Sequence, residues 1–146
     1  MSVEMENKGD KMFSIKDVIV PNLKIDDILK TKHNLLSRAE RRIVAALISY
    51  LWENNWKAIE LSDGDDFNKV KSTTLSGVTK ELMEQVFNLD DCRIYFKKGK
   101  SKIQGVYLVR GNNPDEIICD YHVGEEDFDN HMSIFFDLID KFMSEE

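Results

Sequence analysis

Three patterns predict an α+β fold. Ile43, Val44, Ala45, Ala46, Leu47 and Ile48 follow one another without a polar break, and a helix apolar on most sides is packed by more than one neighbour. Short stretches between residues 93 and 123 alternate apolar and polar side chains, separated by turn residues, as half-buried antiparallel strands do. Phe128, Met132, Phe135, Ile139 and Phe142 recur at spacings of four and three, the seam of an amphipathic helix. The expected architecture is a central buried helix, an antiparallel meander of about three to four strands, and a C-terminal amphipathic helix.

Each element has its own signal. Residues 1–12 are polar and aperiodic and read as a disordered N-terminus, so 13–146 is expected to be a single globular domain. Phe13 to Val20 partly alternates, as a short strand would, and Pro21 ends it. Leu23 to Leu29 has the spacing of a short helix. Ser37 and Glu40 form an S-x-x-E capping box in front of the central helix. Asn54 and Asn55 suit a left-handed helix end. Residues 56–61 alternate, with Trp56, Ala58 and Glu60 on one face, and predict a strand. SDGDD at 62–66 is a turn, and Phe67 to Lys71 reads as a short helix. Leu75, Val78, Leu82 and Val86 predict a helix over about 74–88.

Three strands follow. Ile94 and Phe96 share a face of the first, and Val106 and Leu108 share a face of the second. Ile117, Cys119, Tyr121 and Val123 share a face of the third. KKGKSK at 97–102 is the first turn, where Gly99 can take a positive φ, and GNNPDE at 111–116 is the second. The last helix runs from about Glu125 to Met143, with acids at its positive N-terminal end.

Charge is distributed unevenly. The net charge is −7, which weighs against a general polyanion binder. Residues 93–113 nevertheless carry six basic side chains and no acidic one, whereas residues 114–146 carry eleven acidic and one basic. Two well-separated cysteines, Cys92 and Cys119, suit a reduced, cytoplasmic setting. Charges scattered through the first twelve residues do not resemble a secretory leader. The longest apolar stretch, Ile43 to Trp52, is too short to span a bilayer.

Known catalytic patterns are missing. The sequence has no GxSxG, HExxH or GxxxxGK[ST], and His33, His122 and His131 fall in three different elements. The Asp63, Asp65, Asp66 cluster fails the calcium-loop pattern, because Asn68 stands at the sixth position and Thr74 at the twelfth. Cys119 and His122 point to opposite faces of a strand, as a core cysteine and a surface histidine would. No catalytic, cofactor-binding or metal-ligating residue is therefore assigned, and no enzyme activity or membrane partner is expected.

Two function classes fit. The first is a non-enzymatic, small acidic interaction protein that inhibits or escorts a partner protein, itself basic or nucleic-acid-associated. Asp127, Asp129, Asp137 and Asp140 would form its acidic face, since complementary charge speeds encounter and filters partners. The second uses the order helix, strand, short helix, helix, hairpin over 37–110, which is compatible with a winged-helix-like core carrying an added strand and helix. Helix 74–88 would then enter DNA and the basic hairpin 93–110 would be the wing. Lys97, Lys98, Lys100 and Lys102 at the hairpin tip are the candidate contacts to nucleic acid or an acidic partner. The seam of the last helix also allows a homodimer.

Overall fold

The central helix organises the chain. The computed structural model describes residues 13–21 and 32–145, with side chains from Arg38 onward in the second stretch. Helix α1 spans Lys32–Glu53, and every residue from Ile43 to Ile48 is 0% exposed. It ends in a Schellman turn. Asn55 adopts φ 70°, its N–H donates to the Trp52 carbonyl (3.0 Å), and the Trp56 N–H donates to the Leu51 carbonyl (2.8 Å). These bonds satisfy the last carbonyls of the helix and place Trp56 directly over the core.

The strands are β1 (Lys57–Ser62), β2 (Phe67–Lys69), β3 (Asp91–Lys97), β4 (Gln104–Val109) and β5 (Ile118–Tyr121). They form one antiparallel sheet in the order β2-β1-β3-β4-β5. Helix α2 (Leu75–Val86) crosses from β2 to β3 and packs on α1. Helix α3 (Glu126–Ser144) closes the chain. Its five seam residues, Phe128, Met132, Phe135, Ile139 and Phe142, are its buried residues, and all belong to the chain's own core. The α+β class is as expected from the sequence.

Several local expectations are corrected. Ile15–Asp17 is a 3-10 turn, where a strand was expected over 13–20. The Arg42 guanidinium holds this segment through the carbonyls of Lys16 (3.0 Å) and Val18 (2.8 Å). Ser37 does not begin the central helix, which starts at Lys32. Glu40 is instead 4% exposed, and its carboxylate accepts from the Gly111 N–H (3.0 Å), tying α1 to the β4–β5 connection. Phe67–Lys69 is strand β2 rather than a helix: the Asp63 turn reverses the chain and β1 offers its free edge, which brings the sheet to five strands. The alternation in β1 breaks at a bulge between Ala58 and Glu60, so Ala58 and Leu61 both face the core. The 3-10 turn Pro114–Glu116 and a second bulge bury Ile117 and Ile118 in succession, which leaves Cys119 exposed instead of in the core. The disorder expected over 1–12 and the helix expected over 23–29 concern positions outside the described residues.

The core joins at Phe128. Its ring meets Trp56 edge-on at 5.0 Å and lies 6.3 Å from Phe96 and 6.1 Å from Tyr121, so one side chain bridges α3, the end of α1 and two strands. Phe128→Ala is expected to destabilise the protein by about 3–5 kcal/mol, read from urea unfolding midpoints.

Candidate functional site

The described elements cover the sheet on one side only. Cys92, Ile94 and Phe96 of β3 and Val106 and Leu108 of β4 are buried under α1 and α3. Residues of opposite parity face outward, since successive strand side chains alternate between faces. The register aligns them into rows. Phe67, Ser62, Arg93 and Tyr107 lie opposite one another across β2, β1, β3 and β4, and Lys69, Glu60, Tyr95 and Gly105 form the next row.

This outer face carries aromatic side chains. Phe67 is 62% exposed, and its ring lies 5.9 Å from that of Tyr95 at a 35° tilt. Tyr95 leans over Gly105, where an added Cβ would come within 3.0 Å of its ring. The Arg93 guanidinium sits over the Tyr107 ring at 5.1 Å. A hollow of about 370 Å³ opens among Ser62, Asp63, Phe67, Asp91, Arg93 and Tyr95. A smaller one, about 80 Å³, reaches Asp120 and His122. Arg93 and Tyr107 line both hollows and stand between them.

The charges of the outer face are unequal in their engagement. The Tyr107 hydroxyl donates to Asp91 (2.6 Å), which pushes the tyrosine up from its ordinary pKa. Asp63 accepts from the amides of Asp66 and Asp65, which hold its carboxyl below the usual range. Asp120 accepts from the Tyr121 N–H (2.8 Å). Lys69, Arg93 and Lys97, by contrast, have no carboxylate within ion-pair distance among the described residues.

The hairpin and the acidic helix, candidate sites in the sequence, meet each other. Lys98 Nζ donates to Asp127 Oδ2 at 2.9 Å. The same oxygen accepts from Trp56 Nε1 at 2.8 Å. His131 Nε2 lies 3.6 Å from the other oxygen, and His131 Nδ1 lies 3.3 Å from the Tyr50 hydroxyl. Asp127 is thus a junction between α1, the hairpin tip and α3. Asp129 accepts from the Gly124 N–H (3.0 Å), and Glu125 caps α3 through the Asp127 N–H (2.9 Å). Of the expected acidic face, Asp137 and Asp140 stand exposed on α3. Of the four expected lysines, Lys97, Lys100 and Lys102 stay exposed and Lys98 is half-buried. Arg110 of the same basic stretch donates to the Leu89 carbonyl (2.6 Å) and stacks on Phe87.

Sequence reading missed Phe67, Tyr95, Tyr107 and Arg93 as a group. The parity of Arg93, Tyr95 and Tyr107 follows from the strand alternation, but Phe67 was expected in a helix, and the convergence of all four comes from the strand register. The remaining chemistry is sparse. Burial pushes the Cys92 thiol up to about 12, so it stays protonated and unreactive. No group of three or more candidate metal ligands occurs among the described residues, and no helix among them is long and apolar enough to cross a membrane. Compared with protein-family models, curated proteins and solved structures, the chain finds no match.

The Asp127 junction makes stability depend on pH. The hydrogen bond from Lys98, and next that from Trp56, hold its carboxyl below the usual range. A carboxyl lowered in the folded state contributes stability that is fully present above the unfolded value of about 3.9, and that is lost as pH falls through the folded value. The gap in urea midpoint between wild type and Asp127→Ala should shrink as pH falls below about 4. A gap that stayed constant down to acid denaturation would remove the ionised junction from the account.

Proposed function

We propose that this chain is a non-enzymatic interaction protein of the cytoplasm, which binds and regulates a partner by holding it against the uncovered face of its sheet. The observation that carries this reading is the outer face itself: exposed Phe67 beside Tyr95, an Arg93–Tyr107 stack, and a 370 Å³ hollow between them. Exposed aromatic side chains with a nearby arginine are the composition of binding hot spots. Asp137 and Asp140 are also exposed, on α3, and stand apart from this face.

A winged helix reading duplex DNA draws less support. The outward residues of α2 include Ser76, Lys80 and Glu84, a stripe without the basic row that phosphates require. Both strands of the basic hairpin are interior strands of the sheet, with β1 and β5 on either side, so only the tip projects.

Capture from a cell extract separates the two surfaces. A Phe67→Ser, Arg93→Glu variant is expected to lose most of the partner retained by wild type, while an Asp137→Lys, Asp140→Lys variant keeps it. Full retention by the first variant would take the sheet face out of the proposal.

A further inference from the structure

The uncovered face carries two kinds of group in one place. Phe67, Tyr95 and Tyr107 present rings on three different strands. Around them stand Arg93 and Lys97 on the face, and Lys100 and Lys102 at the adjoining hairpin tip, with no carboxylate within ion-pair distance among the described residues, while Lys69 lies opposite Glu60. Lys57 and Lys97 even sit directly opposite each other, an arrangement that is unfavourable without an anion nearby. Lys57 relieves part of it by lying over the Trp52 ring at 4.9 Å. The face also carries carboxylates: Asp63, Asp91 and Asp120 each accept a hydrogen bond from the chain itself, and Glu60 stands opposite Lys69.

We propose that the uncovered face of the sheet binds a single strand of nucleic acid, with bases stacking on Phe67 and Tyr95 and phosphates meeting Arg93, Lys97 and the tip lysines. The inference rests on the reading of that face as the contact surface and names its occupant. Aromatic rings on an open sheet accept any base, because every base has a π-face, and cations beside them track the backbone. An acidic peptide would use the same cations but leave the rings unexplained. A duplex would offer phosphates but keep its bases stacked out of reach. The net charge is −7, and Glu60, Asp63, Asp91 and Asp120 share the face, so the phosphate contacts are confined to Arg93, Lys97 and the hairpin tip, away from the largest negative block. Helix α3 packs through Phe128 on the covered side of the sheet, so Asp137 and Asp140 lie across the sheet from the rings.

Fluorescence anisotropy with a labelled oligouridine and a labelled oligothymidine tests the idea at low and moderate salt. Wild type should bind both single strands, more weakly as salt rises, and bind the matching duplex much less. Phe67→Ala should weaken binding roughly 5- to 150-fold. Arg93→Gln should weaken it and flatten the salt dependence by about 0.7 in logarithmic slope. Both residues are exposed, so unchanged unfolding midpoints should accompany these losses. Asp137→Asn should bind as wild type does.

The proposal is overturned if wild type binds no oligonucleotide at low salt, if the duplex binds equally well, if Phe67→Ala binds normally, or if oligoglutamate competes as effectively as an unlabelled strand. Oligonucleotide failure with partner capture still dependent on Phe67 and Arg93 would end this inference and leave the broader reading standing. Failure of both would end both.

Discussion

A helix buried on every side sets the terms for the rest of this molecule. From Ile43 to Ile48, α1 presents apolar groups in all directions, so it has to be enclosed and not merely docked. The sheet covers it from one direction, α2 from another, and α3 with the 3-10 turn at Ile15–Asp17 from the rest. Enclosing a helix in this way is favourable because each buried aliphatic side chain contributes roughly 1.5–3 kcal/mol. It also engages every described helix on one side of the sheet. The other side remains open because no described helix is left to cover it.

The asymmetry gives the sheet two chemistries. Its covered face is aliphatic and aromatic, joined at Phe128 and Trp56. Its open face mixes rings with charge: Asp91 and Asp120 accept hydrogen bonds from the chain, Glu60 faces Lys69, and Arg93 and Lys97 have no carboxylate within ion-pair distance among the described residues. Free cations on a half-solvated sheet contribute little to stability, because exposed charges are well screened. Their clustering beside exposed rings is the feature on which the proposed contact surface rests.

The charge reversal along the chain divides the same way. Lys98, Asp127, Asp129, Glu125 and Arg110 belong to the fold: they cap α3, lock the hairpin tip to it, or close the end of β4. Lys97, Lys100, Lys102, Asp137 and Asp140 remain on the surface. A block of like charge in a sequence is thus a mixture, and only part of it is available to a partner.

What the sequence determined by itself was periodic and local. The buried run of α1, the five-residue seam of α3, the inward parity of β3 and β4, the left-handed Asn55 and the positive φ of Gly99 all follow from spacing or from single-residue backbone preference. The tertiary structure decided whatever depends on pairing. Phe67 became a strand because β1 offered it an edge, which outweighed the weak helical pattern around it. Glu40 became a buried anchor because Gly111 arrives beside it from 71 residues away. Bulges in β1 and at β5 changed which side chains face the core, leaving Cys119 in solvent. The candidate surface belongs to this second class: four strands contribute to it, and neighbours across a sheet are set by register, which no single strand carries in its own sequence.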